Sequence, residues 1–169
     1  PRRMRMETIR TFAISKLRWI QQQQKKIQEQ ECETPGDATS PKSYDVWGRR
    51  YQVTVLEKNA PPTVELNLSH MLLRVRPRTG EDKKQAIVEA WYRDQLKDAL
   101  PPLLARWQPV VGVKVEGFYV RRMKTKWGSC NTRAHTIRIN TELARKPAGC
   151  LEYVVVHELV HLLEPTHNA

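Results

Sequence analysis

Two spacings of apolar residues alternate along this chain, and together they predict its elements. Ile9, Phe12, Ala13, Leu17, Ile20 and Ile27 recur every three or four positions, which predicts a long amphipathic helix over residues 6 to about 32. Its run 21–26 is polar all round and reads as a solvated helix. The breaker-rich stretch 34–41 is a loop. From 42 to 78 the period falls to two. Val46 and Tyr51 flank a hairpin turn at Gly48, and Tyr51, Val53 and Val55 alternate with Gln52 and Thr54. Asn59-Ala60-Pro61-Pro62 ends that strand. Residues 64–68 and 71–76 form two more around a Ser69-His70 corner, with His70 as a surface turn residue. Such pieces predict an antiparallel sheet with one face in solvent.

The helical period returns from Glu81 to about Trp107. Ile87, Trp91, Leu96, Leu100, Leu103, Leu104 and Trp107 make its stripe, and Pro101-Pro102 should break or kink it near the middle. Residues 113–125 and 135–140 read as strands, and 141–145 as a short helical turn. Pro147 suits the start of a final helix, over 150–163, where its missing N–H is not needed. The expected fold class is α+β, a single domain over residues 1–169. Its parts are an N-terminal helix (1–33), a β-rich part (42–78) and a third part (81–169). The first residue is Pro1, and the chain stops two residues after His167. Truncation at both ends is expected.

Composition narrows the classes. The 169 residues carry 29 Lys and Arg against 18 Asp and Glu, a net charge of +11. That balance favours acidic partners such as nucleic acid or nucleotides, or simply makes a solvated basic surface. No apolar run approaches the ~20 residues that span a bilayer, and no signal-peptide pattern stands at the start. No membrane partner is therefore expected. Cys32, Cys130 and Cys150 are too few and unpaired for a disulfide framework, which points to a reducing, cytoplasmic location.

The final helix carries the candidate chemistry. In His157-Glu158-Leu159-Val160-His161 the two histidines are four apart and rise from one helix face, a spacing that suits a zinc ion. Glu158, beside the first ligand, can reach a water at the metal without binding the metal, as a general base must. His167 follows Pro165, whose ring ends the helix and lets the chain turn back towards the same ion. The bland alternative is a buried helix with two satisfied histidines, given the apolar residues around the motif. It leaves Glu158 in need of partners.

A second stretch precedes that helix. If the run from Arg121 to Lys126 is extended, Arg122, Lys124 and Lys126 share a face, and Trp127, Gly128 and Ser129 follow. A basic strand edge ending in an aromatic could hold an extended peptide by β-addition or a phosphate-rich ligand. It could equally be an edge strand protected by its lysines.

Lys126-Trp127-Gly128-Ser129-Cys130, then Ile137-Arg138-Ile139-Asn140, then residues 151–161 with His167, resemble the YgjP-like metallopeptidase family. Ile14-Ser15-Lys16-Leu17-Arg18-Trp19-Ile20 also resembles that family's N-terminal helix. The resemblance implies a zincin-like domain with an antiparallel or mixed sheet and an active-site helix. It further implies one Zn2+ per chain held by His157, His161 and His167, with Glu158 catalytic and a peptide or protein as substrate. The family is similar to the SprT-like and WLM-type zinc proteases. The histidine spacing also matches the metzincin pattern, but Glu164 stands where metzincins have the glycine that permits the turn.

Three functions are open at this point. The first is zinc-dependent peptide hydrolysis, with substrate held near Arg122, Lys124, Lys126, Trp127, Gly128 and Ser129. The second is metal-dependent pyrophosphohydrolysis of nucleoside triphosphates. The third is a nucleic-acid-associated module with a structural zinc, a site type that has no need of Glu158.

Overall fold

Trp47 and Gly48 both take positive φ, 50° and 78°, the mirror-image turn whose twist suits a two-residue hairpin. The computed structural model describes residues 42–164, so the helix expected over 6–32 lies outside the described residues. The turn joins β1 (Ser43–Val46) to β2 (Arg49–Glu57) in the expected antiparallel register, Tyr44 facing Tyr51. β3 (Thr63–Leu66) and β4 (His70–Val75) complete a sheet of order β1-β2-β4-β3. β4 runs parallel to β2, with Val53 opposite Met71 and Val55 opposite Leu73. The sheet is therefore mixed rather than antiparallel throughout. Period-two alternation reports which face is buried and is silent on direction. Met71, Leu73 and Val75 are each at most 2% exposed. The strand carrying them takes a central place, and β3 folds back along its outer edge.

α1 (Glu81–Val111) runs unbroken for 31 residues through Pro101, Pro102 and Pro109. The expected break at Pro101-Pro102 does not occur. The prolines leave the carbonyls of Lys97, Asp98 and Ala105 without helical N–H partners. Those three residues and the three prolines are all exposed, so water can take up the carbonyls. The buried stripe is Val88, Tyr92, Leu96, Leu100 and Leu104, a strict four-residue repeat, with Val111 beyond it. Ile87, Trp91, Leu103 and Trp107 flank it and are only partly buried. Gly112, at φ 81°, ends the helix and donates its N–H to the Gln108 carbonyl.

A second sheet follows, of order β5-β7-β6, built from β5 (Gly117–Arg121), β6 (Gly128–Asn131) and β7 (Thr136–Asn140). β5 and β7 are parallel, and β6 lies antiparallel to β7 on an outer edge. A 3-10 turn, Thr141–Arg145, then leads into α2 (Ala148–His161), with Pro147 as its N-cap. The hairpin turn is fastened to this junction. The N–H groups of Trp47 and Gly48 donate to the carbonyls of Ala144 and Arg145 at 2.8 and 3.3 Å. Gly48 lies so close to Pro147 that a Cβ there would come within 2.9 Å of its Cγ. α2 buries Leu151, Val154, Val155, Glu158 and Leu159, at helical spacing. Among the described residues no helix is long and apolar enough to cross a membrane.

Candidate metal centre

α2 presents His157 and His161 one turn apart on the same face. Their Nε2 atoms stand 3.1 Å apart, and the rings are nearly perpendicular, at 89°. Two nitrogens bound tetrahedrally to one zinc at the usual bond length are separated by about 3.3 Å. The pair therefore fits a single divalent ion. The same separation is that of a hydrogen bond between the rings when one Nε2 carries a proton. His161 donates Nδ1–H to the Glu164 carbonyl at 3.0 Å, which orients the ring so that Nε2 faces His157. Tyr153, one turn earlier, stacks on His157 with 29° between the rings. Among the described residues no group of three His, Cys, Asp or Glu side chains is gathered closely enough to hold an ion. His167, the third histidine singled out by the sequence, lies outside the described residues.

Glu158 falls in the apolar stripe of α2 and is 5% exposed. Burial pushes its carboxyl up to about 6, and the charges of His161 and Lys126 pull it partly back. Gly128, at the start of β6, makes room for it. A Cβ on Gly128 would come within 2.8 Å of the Glu158 Cγ and the Val154 Cγ1, and closer still to the Glu158 Oε1. Glycine is thus required by the approach of a helix side chain to a strand backbone.

A cleft of about 650 Å3 runs between α2 and β6. Lys126, Trp127, Gly128 and Ser129 line it together with His157, Glu158 and His161. Four of the six residues expected to meet substrate are therefore brought to the histidines. Arg122 and Lys124 are not. Arg122 points elsewhere, with Nη1 3.5 Å from Glu89 and Nε 4.0 Å from Glu142, and Lys124 is exposed outside the cleft wall.

The expected basic strand is the source of that difference. β5 ends at Arg121, and residues 122–127 form a loop wrapped around one side chain. Asn140, 4% exposed, donates Nδ2–H to the carbonyls of Met123 and Lys126 at 2.9 and 2.8 Å. Its Oδ1 accepts from the N–H groups of Met123 and Glu142 at 3.3 and 3.2 Å. A loop curled in this way does not alternate, so Arg122, Lys124 and Lys126 do not share a face. The sequence reading did not single out Asn140. The available signal was its position just before a helical turn, where Asn caps. Nothing local announced its bonds to a loop fourteen or more residues away.

A family model described as YgjP-like, metallopeptidase domain, matches residues 1–169. Neither the curated proteins nor the solved structures yield a match to the chain.

Proposed function

The chain belongs to the YgjP-like metallopeptidase family, and on that premise we propose that it hydrolyses peptide bonds at the cleft between α2 and β6, using a zinc ion and Glu158 as general base. Family membership makes it a metallopeptidase-type domain, with peptides or proteins as the implied substrate class. One observation carries the finer reading. Two imidazole Nε2 atoms lie 3.1 Å apart beside a carboxylate that is 5% exposed. His157, His161 and His167 would hold the ion, and neutral imidazoles are a donor set that suits zinc. When bound, such an ion polarises a substrate carbonyl and makes a neighbouring water more acidic.

Glu158 receives the proton of the attacking water and delivers it to the leaving amine. Burial raises its carboxyl above the usual carboxylate range, which makes it a stronger proton acceptor than an exposed glutamate. Burial also keeps bulk water from competing for that proton. β6 is an edge strand, and its outer side at Gly128 and Cys130 offers backbone groups to an extended peptide. Trp127, 43% exposed, provides an apolar surface for a substrate side chain, and Lys146 lies 6.0 Å from its ring centre.

Glu158→Gln tests the reading. The variant should fold and keep its metal while turnover of a casein-like substrate falls at least about a hundredfold. Near-wild-type turnover with metal bound would remove Glu158 from the role. Metal content of His157→Ala, His161→Ala and His167→Ala checks the ligand set, each being expected to lower it. A panel of nucleoside triphosphates assayed beside casein addresses pyrophosphohydrolysis. That alternative relied on Arg121, Arg122, Lys124 and Lys126 together, and of these only Lys126 borders the cleft.

A further inference from the structure

A second cavity, of about 360 Å3, shares no lining residue with the cleft. It lies where α1, the end of β5 and the 3-10 turn meet. Arg93, Arg121, Arg122 and Arg145 line it, against Glu89 and Glu142. The two carboxylates are already engaged. Arg122 lies 3.5 Å from Glu89 and 4.0 Å from Glu142, and Arg145 Nε lies 3.4 Å from Glu142. Arg93 and Arg121 have no carboxylate partner among the described residues, so the cavity carries two uncompensated positive charges.

We propose that this cavity binds a small phosphate-bearing ligand, with Arg93 and Arg121, which no carboxylate neutralises among the described residues, supplying the cations. The chemistry favours phosphate over a carboxylate. Several guanidinium forks around one space can engage three or four oxygens at once, where a carboxylate offers two. Recognition stops at the phosphate, because Tyr92, the one aromatic residue in the wall, is 1% exposed and presents no face for a base. The assignment stands independently of the hydrolase reading.

The experiment is calorimetric titration of the protein with inorganic phosphate and with pyrophosphate, and, for comparison, with a short DNA duplex. Arg93→Gln/Arg121→Gln should weaken pyrophosphate binding at least about tenfold, because it removes both free charge-assisted partners. Lys58→Gln/Arg76→Gln, which removes the same charge elsewhere on the surface, should leave it within about twofold. No binding of phosphate or pyrophosphate overturns the proposal. So does pyrophosphate affinity that survives Arg93→Gln/Arg121→Gln, which would locate the anion elsewhere, the cleft included. Duplex binding that falls in Arg93→Gln/Arg121→Gln while pyrophosphate fails to bind also overturns it, in favour of a nucleic-acid backbone.

Discussion

A hydrogen atom in place of a methyl at position 128 decides how closely Glu158 can approach the second sheet. Gly128→Ala would place a carbon within 2.8 Å of both the Glu158 Cγ and the Val154 Cγ1. Neither is a free side-chain end, since both residues are held in the buried stripe of α2. Overpacking of this kind should cost about 1–3 kcal/mol, read as a lower urea midpoint with unchanged slope. The displaced carboxylate should lower turnover as well. Asn140 acts through four hydrogen bonds rather than through space. Asn140→Ala leaves two part-buried carbonyls and two N–H groups without their partner, so a loss of about 2–3 kcal/mol is expected. Amide hydrogen exchange should locate the damage, with loop 122–127 opening before β7.

At the scale of elements, α1 departs most from what helix propensity alone allows. A mid-helix proline disfavours the helix by about 3 kcal/mol relative to alanine, and α1 holds adjacent ones at 101 and 102. Tertiary burial of Tyr92, Leu96, Leu100 and Leu104, none more than 6% exposed, outweighs them. Pro102→Ala gives the Asp98 carbonyl back its partner but frees the unfolded chain, which offsets part of the gain. A net stabilisation of about 1–2 kcal/mol is expected by chemical denaturation. α1 also holds α2 in place: Arg106 Nη1 and Trp107 Nε1 donate to the Glu152 Oε1 at 3.1 and 2.9 Å.

At the scale of the molecule, Tyr92 joins three parts of the fold. Its hydroxyl donates to the Asp45 carbonyl of β1 at 2.6 Å, and the Arg145 guanidinium lies 5.0 Å from its ring centre. Burial pushes the Tyr92 phenol far above its ordinary value of 10. The folded protein therefore keeps the proton at a pH where the unfolded chain releases it. The unfolded state then binds fewer protons, so stability is full below about pH 10 and falls as pH rises beyond it. Tyr92→Phe should lose about 1 kcal/mol at neutral pH. It should also show a shallower fall in urea midpoint than wild type between about pH 9 and 11.

The amino-acid order alone determined whatever depends on neighbours within a turn or a hairpin. Gly48 required a hairpin, the helical spacing of apolar residues placed α1, and the spacing of His157 and His161 set them on one helix face. The choice of Glu158 as candidate base came from the same local spacing. Only the tertiary structure decided what depends on distant partners. The parallel pairing of β2 with β4 arises because the chain reverses twice between them and β4 inserts between β2 and β3, and alternation does not encode direction. β6 was not expected, because Gly128-Ser129-Cys130-Asn131 carries no strong strand signal and owes its form to pairing with β7. An extended run would set the cations of 122–126 on one face. Asn140 instead curls the loop, which leaves Lys126 by the histidines and Arg122, with Arg121 at the end of β5, at a different cavity.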